Sequence, residues 1–194
     1  MARTERHPLT LEHALLGFLR RRPMHGYEIY QRIMDPEGLW LVWRMKQSQL
    51  YALLLRLEAE AYITSTLQPQ DAHPPRKIYK LTRAGRERYL VWVRSAVPHG
   101  RELRQDFFGK LYFALQEGPA VAAELLARQR EACHAWLADM RAAQELSDGD
   151  VPGQHYELSF ESFVGDFRIG QIGAILAWIE HSQQRLQVAG HRPR

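Results

Sequence analysis

Between Leu11 and Val97 the apolar residues change their period in a fixed order, and that order leaves few folds open. Leu11, Leu15, Phe18 and Leu19 recur at helical spacing, with Thr10 as a candidate N-cap. Arg20-Arg21-Arg22 and then Pro23 close the segment. A short second helix is expected over residues 26–34, broken by Asp35-Pro36-Glu37-Gly38. Trp40 and Trp43 lie in the connection to a third helix. That helix is expected to start at Ser48 as N-cap and to run to residue 60, burying Leu50, Leu54 and Leu57 with Leu53 beside them. Two stretches rich in Ile, Thr and Tyr, residues 62–67 and 77–81, read as strands. Their nine-residue connection contains Pro74-Pro75 and is long for a hairpin, so a mobile tip is expected. Thr82 can cap a fourth helix reaching residue 97, with Leu90, Val93 and Val97 inward. Three helices, two strands and a helix in this order make a winged helix-turn-helix, in which the strands form the wing.

Pro98-His99-Gly100 is a natural boundary, so residues 1–97 are expected to form the winged unit and residues 98–194 a helical unit. The fold class is mainly α. In the second half, helices are expected over residues 103–116, 119–146 and 156–188, with a loop at 147–153. Leu126, Cys133 and Met140 repeat every seven residues. The last helix carries two apolar stripes, one of Phe160, Phe163 and Phe167 and one of Ile169, Ile172, Leu176 and Ile179. Gly165, Gly170 and Gly173 each cost that helix about 1 kcal/mol relative to alanine, which points to a kink or to the close approach of another helix. Helices with two apolar faces cannot hide both against each other in so small a unit. A homodimer is therefore expected, with Leu126, Cys133, Met140, Ile172, Leu176 and Ile179 as its contact residues.

Charge separates the halves. Residues 1–97 carry 16 Lys+Arg against 9 Asp+Glu, whereas the remainder is mildly acidic. A basic first half fits a polyanionic partner. The single cysteine excludes an intramolecular disulfide. The N-terminus shows no signal-like apolar stretch. The most apolar helical run, residues 169–179, falls short of the roughly 20 residues needed to span a bilayer. The expectation is a cytoplasmic protein with no membrane partner. Enzyme signatures are missing: there is no HExxH, no paired Cys-x-x-Cys, no Walker loop and no GxGxxG. Cys133 and His134 are adjacent on a helix and diverge by about 100 degrees, poor geometry for a metal or a nucleophile. Glu157, Glu161 and Asp166 read as solvated charge. Neither enzyme activity, nor a cofactor, nor a metal is expected.

The chemistry sits at the start of the third helix. A recognition helix presents its N-terminal end to base edges, and here that end reads Gln47, Ser48, Gln49, Leu50, Tyr51. Glutamine can pair bidentately with adenine, and serine serves base or phosphate unless it is spent as a cap. Lys46 and Arg44 lie where phosphates would pass. Arg56 is expected to reach the backbone, and Arg76 and Lys77 sit at the wing base. Tyr27, in His25-Gly26-Tyr27, either packs or meets phosphate. The expected partner is double-stranded DNA. The alternative is a winged-helix adaptor that binds protein without reading DNA. Trp92, Trp136, Trp178, Tyr112 and Phe163 either line a ligand pocket or fill the core, and no effector residue follows from them.

The segments His25-Gly26-Tyr27-Glu28-Ile29, Ser48-Gln49-Leu50-Tyr51 with Leu54, Leu57 and Glu58, and Arg76-Lys77-Ile78-Tyr79-Lys80-Leu81-Thr82 with Ala84-Gly85 resemble the PadR family of bacterial transcription regulators. The resemblance covers about residues 9–95. The C-terminal half resembles more weakly the helical dimerisation domain of the longer, virulence-activator-like members. It implies a dimer on a palindromic operator, repression as the usual outcome and, in many members, a small aromatic or drug-like effector. Two positions depart from the family pattern. Ala52 stands where members often carry Pro, and Ala61 stands where they often carry Gly. Ala61 tolerates a left-handed cap poorly, so the entry into the wing is expected to differ.

Overall fold

A computed structural model describes residues 10–69, 75–148 and 160–190. The chain runs α1 (Thr10–Leu19), β1 (Met24–His25), α2 (Gly26–Ile33), a 3-10 turn (Leu39–Leu41), α3 (Gln47–Ala59), β2 (Ile63–Gln68), β3 (Arg76–Leu81) and α4 (Arg83–Arg94). A 3-10 turn (Gly100–Glu102) and a π turn (Leu103–Phe107) lead into α5 (Phe108–Glu117), α6 (Pro119–Asp148) and α7 (Phe160–Gly190). This is a winged helix-turn-helix followed by a helical half. Strand β3 lies between β1 and β2, antiparallel to both, with Ile63 opposite Leu81 and Met24 opposite Tyr79. Strand β1 is too short to carry a periodic signal, which is why its sequence does not announce it. The tip of the wing and the expected start of the last helix at residue 156 lie outside the described residues. Residues 147 and 148, expected as loop, close α6 instead.

The leucine stripe of α3 is buried as its spacing requires. Its N-cap is Lys46, one residue before the first helical residue Gln47, so Ser48 is not the cap. The lysine cannot accept a hydrogen bond through its side chain, and the capping contact runs the other way: the Lys46 N–H donates to Gln49 Oε1 at 2.9 Å. At the other end Tyr62 N–H donates to Leu57 O and Ala61 N–H to Glu58 O, which is a Schellman closure. Ala61 takes the left-handed conformation there, with φ at 59°. The glycine-like turn into the wing is kept although a side chain costs about 1–2 kcal/mol in that region. The Thr82 hydroxyl holds it, donating at 2.9 Å to the carbonyls of Ala61 and Tyr62. Gly85 lets α4 approach, since a Cβ there would come within 2.1 Å of the Tyr62 carbonyl oxygen.

The two halves share one apolar core through α5. Phe113 lies against Gly17 of α1, where a Cβ would stand 2.6 Å from its ring, and Gly109 of α5 admits the indole of Trp43 in the same way. Phe113 also meets Phe18, Tyr89 and Trp92 edge-on. Polar groups pin the linker after α4. The buried Lys110 ammonium donates to Ser95 O, Ser95 Oγ and Ala96 O at 2.8, 2.9 and 3.3 Å. The Val97 N–H donates to Oε1 of the fully buried Gln129 at 2.8 Å. Burial pushes the Lys110 amine down to about 8. His13 stacks on Trp92 at 5.4 Å, and burial, aided by the charges of Arg88 and Lys110, lowers it to about 4.

Helices α6 and α7 run antiparallel: Arg130 bonds Gln183 and Gln144 bonds Asp166. Here the structure corrects the expected interface. Leu126, Cys133, Ile172, Leu176 and Ile179 are buried, and Met140 packs on the same core, within a single chain. The seven-residue repeat of α6 and the isoleucine stripe of α7 are buried in one core within the chain and are not left open to a second copy. The phenylalanine stripe is the one left outside, with Phe160 at 83% and Phe167 at 68% exposure. Gly165, Gly170 and Gly173 neither break α7 nor meet a neighbouring helix, and a Cβ on each would find nothing within 4 Å.

Candidate nucleic-acid interface

Three elements meet at one corner of the winged half. The N-terminus of α2 is capped by His25, whose Nδ1 accepts from the Glu28 N–H at 3.1 Å. Gly26 follows because the Tyr51 ring of α3 lies over it, with a Cβ position only 2.7 Å from the ring. The base of β3 supplies the third side. His25, Gly26, Tyr27, Tyr51, Arg76, Lys77 and Tyr79 together line a cleft of about 230 Å³. Tyr27 is 52% exposed, its ring parallel to that of His25, so its hydroxyl is not spent in the core. Tyr79 closes the floor, its hydroxyl pushed up by burial.

Not every cation expected at this surface is available to it. Arg56 forms an ion pair with Glu12, a carboxylate of α1 that is almost wholly buried. It thereby pins α3 to α1 with its guanidinium turned to Glu12, although part of the side chain stays exposed, which corrects its assignment as a backbone contact. An arginine two turns along α3 lies beside α1, and a carboxylate that has lost its water holds the nearest guanidinium. Lys77 is likewise engaged, donating at 2.6 Å to Glu58 Oε2, while Ser65 Oγ donates to the other oxygen. Hydrogen bonds from Lys77 and Ser65 hold the Glu58 carboxyl below its ordinary range, and the same bond raises Lys77. This cluster ties the end of α3 to both strands of the wing. Lys77 is therefore a brace for the wing.

What remains outward is Lys46, Gln47, Ser48, Gln49, Tyr51 and Arg76, all exposed, together with Arg44. Arg44, Lys46 and Arg76 form no ion pair among the described residues, and Arg44 lies over the Trp40 ring at 4.8 Å. Gln49 has one carboxamide oxygen turned back onto Lys46, so a two-point contact with adenine requires that cap to open. Ala52 and Leu55, which the leucine spacing leaves on the opposite face of α3, share the open side with Ser48. Helical periodicity places them there, but an apolar residue draws no attention beside glutamines. Among the described residues no cluster of His, Cys, Asp and Glu could hold a metal ion, and no helix is long and apolar enough to cross a membrane.

Residues 15–90 match the model of the transcriptional regulator PadR-like family, and residues 103–187 match that of the virulence activator alpha C-terminal region. The chain is 29% identical over 135 residues to the negative transcriptional regulator PadR of Bacillus subtilis, covering 70% of this chain and 73% of that protein. The crystal structure of Bacillus subtilis PadR with operator DNA is 24% identical, with a TM-score of 0.44, covering 91% of this chain and 98% of that one. The structure of the same regulator with p-coumaric acid has a TM-score of 0.39 at 24% identity, covering 92% and 96%. The two family models account for both halves in order: the first half is that of a PadR-like transcriptional regulator, and the second matches the virulence activator alpha C-terminal region found in the longer form.

Proposed function

We propose that the protein is a homodimeric repressor that binds a palindromic operator and is released by a small aromatic effector. One observation carries the operator reading. The N-terminal turn of α3 is open and uncharged at its centre, with the unpaired cations Arg44, Lys46 and Arg76 around it. Cations at the edge suit phosphates and polar side chains at the middle suit base edges. Tyr27, Lys46 and Arg76 then position the duplex, and Gln47, Ser48, Gln49 and Tyr51 approach the bases. The relative from Bacillus subtilis is named a negative regulator, which favours repression.

The dimer forms through the outer face of α7. Phe160, Phe163 and Phe167 lie toward one end of an apolar stripe, Trp178 toward the other, and the small residues Gly170, Gly173 and Ala174 lie between. Two such helices crossing antiparallel at the glycines bring the phenylalanines of each against the exposed edge of its partner's Trp178, whose ring otherwise packs edge-on against Phe107 and Phe108 of its own chain, an isologous fit. Half-sites about 34–36 Å apart would match two recognition helices on one side of the duplex. For release, Trp40, Leu41, Val42, Arg44 and Gln105 line a cleft of about 450 Å³ between the winged half and the π turn. An aromatic carboxylate stacked there would draw Arg44 away from the phosphates.

Selection from a random duplex library, with sedimentation of the protein alone, tests this reading. A palindromic sequence and a dimer are expected. Enrichment of no sequence would favour the adaptor alternative. Arg76→Ala is expected to weaken all sequences alike and to reduce the log–log salt slope by about 1.

A further inference from the structure

Helix α3 is set by its interior. Leu50, Leu54 and Leu57 face the core, so positions 48, 52 and 55, at i, i+4 and i+7, define the middle of the opposite face. That spacing falls within the one by which recognition helices in the major groove reach successive base edges. On this chain the three residues are Ser48, Ala52 and Leu55. All three are exposed, and Leu55 leaves 60% of its surface in water.

Two charged side chains that flank this face along the helix are paired within the chain. Arg56 is held by Glu12 and Glu58 by Lys77 and Ser65, so neither a guanidinium nor a carboxylate reaches across this face. Gln49 is turned back onto the helix start. The middle of the face carries a hydroxyl, a methyl and an isobutyl group over two turns, with the exposed Gln47 and Tyr51 to one side of it. In the major groove one group matches apolar side chains, the 5-methyl of thymine.

We propose that Ala52 and Leu55 read thymine methyl groups and that, within the operator reading on which this rests, they are specificity-determining residues. Leu55 would cover one methyl and Ala52 another nearer the helix start, with Ser48 serving a neighbouring edge. The chain then prefers T at fixed half-site positions without a bidentate hydrogen bond there.

Uracil in place of thymine removes the methyl and leaves every hydrogen-bonding group intact. Once an operator has been selected, each dT of a half-site is replaced singly by dU and affinity is measured. At one or two positions the wild type is expected to bind about threefold to tenfold more weakly, the effect of one buried methyl or slightly more. With Leu55→Ala the penalty should vanish at one position and persist at the other. Leu55 lies outside the core, so this variant should keep the wild-type melting temperature. Two results would overturn the proposal: an enriched operator indifferent to every dU, or a dU penalty unchanged in both Leu55→Ala and Ala52→Gly. A selection that enriches nothing would instead bring down the operator reading, and this inference with it.

Discussion

Helices α3 and α7 have the same problem and solve it differently. Each has one apolar stripe facing the protein and other residues facing out. In α3 the charges flanking the open face are neutralised within the chain, Arg56 by Glu12 and Glu58 by Lys77, and the open face itself carries small or uncharged groups. In α7 the open face carries three phenylalanines, each more than half exposed, while Trp178 at its other end packs edge-on against Phe107 and Phe108. An apolar face left open over this length fits the proposed dimer, and a face cleared of charge with cations beside it fits the proposed duplex.

The sharpest way to break the comparison is to place charge on the two stripes of α7 in turn. Phe163→Glu is expected to give monomers in sedimentation and to lower operator affinity about a hundredfold or more through loss of the second half-site, with little change in melting temperature. Ile179→Ala, on the inward stripe, should instead cost about 2–5 kcal/mol in denaturant unfolding and leave the dimer intact. If Phe163→Glu remains a dimer, the open face of α7 does something else.

The next effect belongs to α3. Arg56→Met leaves the buried Glu12 carboxylate without its cation and is expected to cost about 3 kcal/mol of stability. Its operator affinity per folded molecule should stay near wild type, because Arg56 faces α1. An affinity loss with a reduced salt slope would return it to the DNA surface.

A pH effect of similar or smaller size tests the joint between the halves. His13 titrates near 4 in the folded chain against 6.5 when unfolded. Its contribution is complete above 6.5. As the pH falls from there, the unfolded chain takes up a proton that the native site refuses. Stability should therefore drop between pH 6.5 and about 4, by about 3 kcal/mol in all. Unfolding curves of His13→Phe over the same range should lack that portion of the slope.

The smallest effect concerns the wing. Ala61→Gly relieves a left-handed alanine and is expected to stabilise the fold by about 1 kcal/mol, read as a shift in the denaturant midpoint at constant slope. No gain would mean that the closing bonds, with Thr82, already hold the turn without strain.

Much of the winged half is legible along the chain because its elements are short and bury one face each. The spacing of Leu50, Leu54 and Leu57 allows one way in, and the strands on either side of the wing follow from their β-branched and aromatic residues. Individual ions were less legible. Arg56 and Lys77 look alike on paper to Arg44 and Arg76, and their roles separate only when Glu12 and Glu58 arrive from other parts of the sequence.

The sequence by itself determined the order of elements, the buried stripe of α3 and the excess of apolar surface in the second half, since these depend on local period and composition. Tertiary structure decided which stripe of α7 turns inward and which cations stay available. It also decided that α5 completes the core of the half that precedes it. Those outcomes depend on which surfaces and charges meet across long separations in the chain, and burial is won by the best-matched pair of faces, a comparison that no single segment contains.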